Sequence, residues 1–547
     1  MLYTKQNCMV EWSYTSSKKY GDPFNEVELS AVVTDPDGQA RTVPAFWEGG
    51  QTWCIRYASP KAGYHHFYTI CSDVSNMDLQ GREGEIEVAT YEGDNPLLKH
   101  GPLRVSPNKR HLEHIDGTPF FWLADTWWMG LCKRLKWPKD FQTLALDRID
   151  KGFSVIQIVA GLYPDMAPFD GRGANEAGFP WEEKYERVNP AYFDKADRRI
   201  DYLVNLGLVP CIVGCWGYFL SFMGIERIKR HWRNLVARYG AYPVVWCLAG
   251  EYDMPYYLSA DKERDQNLQR MGWKEAGAYL REIDPYHNPL TVHPGSFIRE
   301  VPGFADILDF DMLQTGHSDD SIGNTVFRIR QSYQSEPIMP VIDGEVAYEG
   351  IGGQCKEQVQ RLMFWACVLN GASGHTYGAN GIWQVNTREK AFGPSPHGMS
   401  WGDTPWEEAS KAPGSHQLGL SKKLLERYQW WLFEPHPEWV ETNVSEENRR
   451  RHYYPYAAGI PGEVRIIYLP FFYSLFKIKG LEDGVSYKVF LFNPVNGDEI
   501  DYGIIKARNG EWSWPPPRED GISWTSLPIF QDWVLVMEST GLDNGSC

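Results

Sequence analysis

Tyr242-Pro-Val-Val-Trp-Cys-Leu-Ala-Gly-Glu251-Tyr-Asp253 is a short apolar run that ends in glycine, glutamate and a polar turn. A run of this length, rich in branched residues and bounded by turn formers, predicts a strand buried on both faces. Pro337-Ile-Met-Pro-Val-Ile-Asp-Gly-Glu345 repeats the pattern. In both, the glutamate follows a glycine where the strand gives way to a loop.

Working outward, six more runs of the same kind alternate with amphipathic stretches. In chain order the eight are 120–124, 153–159, 208–213, 244–248, 290–292, 307–313, 338–342 and 371–377. Helices are readable between them at 139–151, 191–206, 225–239 and 264–283. The second of these carries Tyr192, Phe193, Ile200, Leu203 and Val204 on one face and stops at Gly207. Strands alternating with helices predict βα units and a parallel sheet. Eight of them predict a closed (β/α)8 TIM barrel over 106–434, with Glu251 closing the fourth strand and Glu345 the seventh. An open doubly wound sheet is the competing architecture, and no G-x-G-x-x-G or Walker-type loop supports it.

The chain is too long for one core, at 547 residues. Residues 1–105 read as an all-β unit of about seven strands, from alternating runs such as Val10–Tyr14, Val27–Val33, Thr52–Tyr57 and Tyr64–Ile70. Residues 435–547 return to β patterning at Val464–Tyr468, Ser486–Phe492 and Trp533–Met537, punctuated by Asn496-Gly497, Asn509-Gly510 and Pro515–Pro517. The expected architecture is therefore a barrel flanked by N-terminal and C-terminal β-sandwich domains.

Net charge is −17 with no basic stripe, which argues against nucleic acid and against anionic membranes as partners. No segment is long and apolar enough to span a membrane. The start, MLYTKQNCMVEWSY, has no basic stretch followed by an apolar one, so the chain as written reads as cytoplasmic; a trimmed leader would make it secreted or periplasmic. The ten cysteines form no C-x-x-C pair and read as buried free thiols. A homo-oligomer is compatible with the sequence. The 14% aromatic content suits both sandwich cores and stacking on sugar faces.

Two carboxylates at the C-terminal ends of different barrel strands suit glycosidic cleavage, in which one protonates the leaving oxygen and the other attacks the anomeric carbon. Asp253 is the main rival to Glu251 as the acid, and Asp311 and Asp343 are further acids nearby. Polar and aromatic residues at the remaining strand ends are candidates for binding sugar hydroxyls and ring faces. They are Asp125, Trp127 and Trp128 after the first strand; Gln157, Tyr163 and Asp165 at the second; Trp216 after the third; Tyr252 and Asp253 after the fourth; His293 after the fifth; Gln314 and His317 after the sixth; and Tyr377 and Trp383 at the eighth. No H-x-H, H-E-x-x-H or other ligand spacing predicts a metal, and no cofactor is expected. His111–His114 reads as a surface turn, and no G-x-S-x-G elbow is present.

Two of these segments carry a family resemblance. Asp116-Gly-Thr-Pro-Phe-Phe-Trp-Leu-Ala-Asp-Thr-Trp-Trp128 resembles the opening of the apiosidase-like glycoside hydrolases, family 140 and its relatives, and His375-Thr-Tyr-Gly-Ala-Asn-Gly-Ile-Trp383 resembles their eighth-strand signature. The N-terminal unit resembles the β-domain that often precedes this barrel. The end of the chain, with Asp532-Trp-Val-Leu-Val-Met537, resembles the small domain, named for collagen binding, that often follows it. The resemblance implies an acid/base at Glu251 and a nucleophile at Glu345. One departure stands out: the family's fourth strand ends Gly-Gly-Asp, where this chain has Ala249-Gly250-Glu251, one methylene longer.

The expectation is a retaining exo-glycosidase acting on a carbohydrate substrate, with a furanose such as apiose or arabinofuranose, or another unusual terminal sugar of a plant or microbial glycan, as the leaving residue. The alternatives are an inverting glycosidase and a non-catalytic carbohydrate-binding or scaffold protein on a degenerate barrel.

Overall fold

In the computed structural model, the eight apolar runs form one parallel sheet: β1 (Trp122–Thr126), β2 (Val155–Val159), β3 (Val209–Val213), β4 (Val245–Cys247), β5 (Leu290–Thr291), β6 (Asp311–Gln314), β7 (Val341–Glu345) and β8 (Gly374–Tyr377). The structure describes residues 1–547 apart from 296, 443, 446, 448, 449, 471–475, 507–509, 515–527 and 543–547, so the Pro515–Pro517 run, Asn509 and Cys547 lie outside the described residues.

Neighbouring strands pair in the order β5-β4-β3-β2-β1-β8-β7-β6. The sheet therefore closes on itself everywhere except between β5 and β6. There, β5 is only two residues long, and the seam is stitched by single bonds instead of a ladder. Asp309 N–H donates to Leu290 O at 2.8 Å, Leu290 N–H donates to Asp309 Oδ2 at 2.8 Å, and Thr291 Oγ1 donates to Phe310 O at 2.9 Å. Every side chain of β1–β4 is buried, as expected of strands covered by helices outside and by side-chain layers inside.

The helices lie close to their sequence-based bounds: Lys139–Asp150, Pro190–Asn205, Ile225–Tyr239 and Lys262–Ile283. Helix Pro190–Asn205 starts with proline at its first position, where no N–H is needed, and buries the apolar face named above. The strand bounds differ more. The sixth run begins at Ile307 in sequence, but pairing begins at Asp311. The seventh extends through Glu345, so that glutamate lies in the strand itself.

The N-terminal unit has eight strands in two sheets, one of five and one of three, one strand more than expected. The C-terminal unit likewise has a six-stranded and a three-stranded sheet. A third small sheet corrects the reading of His111–His114. Leu112–His114 is a buried strand paired between Leu103–Val105 and Pro119–Phe120, the last of which leads directly into β1.

Charged side chains clamp both flanking units to the barrel. Arg56, on the N-terminal three-stranded sheet, reaches Asp197 at 2.6 Å and donates to Arg238 O at 2.8 Å. Arg361, on helix Glu357–Val368, forms a bidentate pair with Asp532 at 2.6 and 2.8 Å, and the Tyr468 hydroxyl donates to the same carboxylate at 3.0 Å. The nine described cysteines are free thiols. Among the described residues no helix is long and apolar enough to cross a membrane.

Candidate active site

The glycines before both glutamates have steric reasons. A Cβ on Gly250 would stand 2.2 Å from the Trp216 ring, and one on Gly344 would stand 2.3 Å from the Met312 side chain. With glycine at 250 the Trp216 indole lies flat against the backbone and its Nε1 donates to Glu251 Oε2 at 3.1 Å. Gln314, at the end of β6, donates from Nε2 to the other oxygen at 3.0 Å. Glu251 has a φ of 40°, a left-handed conformation that is unusual for a residue with a side chain and that often marks functional sites.

Glu345 is held from a different side. His293 Nε2 lies 2.9 Å from Oε2 and His317 Nε2 lies 3.3 Å from Oε1. The Gln157 amide donates to Gly344 O at 2.7 Å and so braces the strand end that presents Glu345. Register slips between Leu313 and Gln314 at this point, which leaves Asp343 facing Thr315 and Cys367 instead of the cavity.

These environments split the two carboxyls. Burial, and then the charge of Glu345, push Glu251 above the ordinary glutamate range, against opposing pulls from Gln314, His293 and His317. Burial would also raise Glu345, but the contact with His293, the charges of His293 and His317, and the Tyr348 hydroxyl outweigh it and hold Glu345 below that range. His293 is itself raised: burial disfavours its cation, and Glu345, Glu251 and Asp343 favour it more. One carboxyl pushed up beside one pulled down is the division of labour of an acid and a nucleophile or base.

Both glutamates line a cavity of about 290 Å³ at the C-terminal ends of the strands. Its wall is largely aromatic. Trp128 packs edge-on against Trp216 at 5.5 Å, and Tyr348 stacks between His317 at 5.5 Å and Trp383 at 5.9 Å. Trp128 Nε1 donates to the Tyr348 hydroxyl at 2.9 Å. Asp165 lines the opposite wall and accepts from Ser395 Oγ, tying the loop after β2 to the long loop after β8.

Of the sequence-stated candidates, the structure brings Trp128, Asp165, Trp216, His317 and Trp383 to the cavity with the two glutamates, and sets His293 and Gln314 against the carboxylates. The others are used elsewhere. Asp125 is fully buried in an ion pair with Arg148 at 2.6 Å and accepts from Trp127 Nε1 at 2.7 Å, while Trp127 packs on Phe141. Gln157 braces β7. The Tyr163 and Tyr192 hydroxyls share a hydrogen bond of 2.7 Å in the core. Tyr252 packs on Phe304, Asp253 pairs with Arg270 at 3.0 Å, and the Tyr377 hydroxyl donates to Glu349 at 2.5 Å. Asp311 accepts from Ser332, and burial raises its carboxyl to about 6. Cavity residues that sequence reasoning missed are Tyr348, Tyr257, Met254, His397, Met399 and Trp401. Tyr348 and Met254 each stand three residues after a glutamate, Glu345 and Glu251; Tyr257 follows in the same loop as Met254, and His397, Met399 and Trp401 come from the long loop after β8, which carries no motif. Among the described residues no group of three or more His, Cys, Asp or Glu is placed to hold a metal ion.

A family model described as the apiosidase-like catalytic domain matches residues 106–432. The chain belongs to the apiosidase-like family. It is thus a glycoside hydrolase, with a barrel whose mouth holds two carboxyls in one cavity. A second model, described as a domain of unknown function (DUF5060), matches residues 5–72. Among solved structures, a protein titled glycoside hydrolase superposes with a TM-score of 0.67 at 21% identity, over 82% of this chain and 99% of the other. A glycoside hydrolase family 5 protein of Bacteroides vulgatus gives 0.67 at 21% identity, over 83% and 96%. A further crystal structure from the same organism gives 0.66 at 16% identity, over 99% and 100%. These likenesses show that the apiosidase-like barrel and its flanking β units form a shared fold. No curated protein matches the chain.

Proposed function

We propose that this protein is a retaining exo-glycosidase that removes a terminal furanose, such as apiose or arabinofuranose, from a glycan or glycoside. The observation that carries the reading is that Glu251 and Glu345 end two barrel strands in one cavity, Glu251 held by Trp216 and Gln314 and Glu345 by His293 and His317. Glu251, which keeps its proton, protonates the glycosidic oxygen; Glu345, which is ionised, attacks the anomeric carbon. Glu251, now a carboxylate, then takes a proton from water, which hydrolyses the glycosyl–enzyme ester and restores both groups. Asp253 is a poorer candidate, because its carboxylate is turned to Arg270 at 3.0 Å and not to the cavity that Glu251 and Glu345 line.

A cavity of about 290 Å³ is at the small end for a ligand pocket, which supports a single terminal sugar over a chain threaded through it. The aromatic walls at Trp128, Trp216 and Trp383 offer apolar ring surface, and Asp165 and His317 offer hydroxyl partners. On the same reading, 106–434 carries the chemistry and 1–105 and 435–547 hold it.

The test is to screen aryl glycosides, furanosides first, and to follow the anomer first released by NMR. Retention of configuration is expected, and Glu345→Gln is expected to lower turnover by at least about a thousandfold while the fold survives. First release of the inverted anomer, or near-normal activity of Glu345→Gln, would rule out the double displacement.

A further inference from the structure

Beyond the catalytic cavity lies a larger open groove of about 640 Å³, whose lining includes Glu349, Lys356, Glu357, Asn380, Trp401 and Asp403. Trp401 belongs to both: it is the partition between the groove and the cavity that holds Glu251 and Glu345. Its position is anchored twice. Asn380 Nδ2 donates to Trp401 O at 2.5 Å, and Trp401 Nε1 donates to Ser395 Oγ at 3.3 Å. The Trp401 ring lies 6.2 Å from His317 and 6.5 Å from Trp383, both residues of the catalytic cavity. The floor opposite is the turn Gly350–Gly353, where glycines 350, 352 and 353 have φ of 83°, 56° and 79°; a Cβ on any of them would meet nothing within 4 Å, so the space before them is free.

The charge of the lining decides the class of occupant. Glu349, Glu357, Asp403 and Glu408 face the groove, against Lys356 alone from the lining. Arg388 offsets Glu408 at 2.7 Å. Glu349 is already committed, accepting from the Tyr377 hydroxyl and from Gly414 N–H at 3.1 Å. Glu357 and Asp403 therefore leave the groove acidic, rich in acceptors for hydroxyl groups and repulsive to a second carboxylate.

Resting on the glycosidase reading above, we infer that this groove is a second sugar subsite, which binds the unit adjoining the hydrolysed residue and selects a neutral, hydroxyl-rich glycan over one built of uronic acids. Trp401 supplies a stacking face at the junction, and Glu357 and Asp403 supply the acceptors and the charge selection.

The full chain carrying Glu345→Gln, which binds without turnover, would be probed on a glycan array holding neutral and uronic-acid oligosaccharides of plant and microbial walls. Binding to neutral oligosaccharides is expected. Glu357→Trp, which fills the groove, is expected to weaken it at least about tenfold, and Glu357→Lys with Asp403→Lys is expected to bring in uronic-acid oligosaccharides. The circular dichroism and melting temperature of these variants should match those of the parent, so that a loss of binding reports the groove and not misfolding. Absence of any neutral binder, preference of the parent for uronates, or binding indifferent to Glu357→Trp overturns the subsite. Failure to hydrolyse any aryl glycoside overturns the glycosidase reading instead, so the two fail separately.

Discussion

His293 Nε2 stands 2.9 Å from Glu345 Oε2, and both side chains are almost wholly out of contact with water. His293 comes from the end of the shortest strand, β5, and Glu345 from β7, so two strands that do not neighbour each other in the sheet meet across the barrel mouth. The contact does two things. It lowers the Glu345 carboxyl against the upward push of burial, and the charge of Glu345 in turn raises Glu251.

Replacing His293 by Ala is expected to raise the Glu345 carboxyl, since the group that favours its charged form is gone. The acidic limb of the kcat/KM profile reports ionisation of the nucleophile and should move to higher pH, with a fall of about a hundredfold at the optimum. A pH–rate profile of His293→Ala beside the parent checks this; an unmoved acidic limb would refute it.

Gln314→Leu acts on the other limb. Its amide favours the ionised form of Glu251, so removing it should raise Glu251 further. The alkaline limb, where the acid is lost as pH rises, should shift upward, and kcat/KM should drop roughly tenfold as Glu251 loses a fixed orientation. Opposite limbs moving in the two variants would separate the roles of the two glutamates.

Asp343 offers a stability test apart from catalysis. Burial raises its carboxyl to about 7. Below the unfolded value near 3.8 both states hold the proton and nothing is lost. Between there and about 7 the unfolded chain gives up its proton while the folded chain keeps it, so stability declines as pH rises, by roughly 4 kcal/mol in all. Asp343→Asn removes that slope. Its stability relative to the parent should be similar at pH 4 and should climb through neutrality, as read by denaturation at a series of pH values; a constant difference would count against it.

Arg361→Met should loosen the C-terminal unit. It leaves Asp532 buried without its cation; the two side chains are only 5% and 3% exposed. Loss of one partner of a buried pair costs about 3–5 kcal/mol. Limited proteolysis should release the C-terminal unit first, with the barrel persisting, and retention of parent-like resistance would show that packing alone holds the unit.

The barrel was legible in the sequence because parallel strands covered on both faces are rich in apolar residues, and each of the eight runs overlaps a barrel strand, though with shifted bounds. Glu251 and Glu345 were legible for the same reason: a glutamate that ends a buried run has only the barrel mouth to enter. Asp125 and Asp165 show where such reading stops. Both are aspartates near the end of a strand, and nothing local distinguishes them. Arg148, arriving on the following helix, turns Asp125 into an internal ion pair, while Asp165 is left on the cavity wall. The sequence by itself determined the strand count, the helices between strands and the two acids at their ends, since these rest on periodicity and on residues adjacent in the chain. The tertiary structure alone decided which side chains meet: His293 against Glu345, Trp216 and Gln314 on Glu251, Trp401 between cavity and groove. Those meetings depend on register, on a one-residue slip beside Gly344 and on loops far apart in sequence, and no local pattern encodes them.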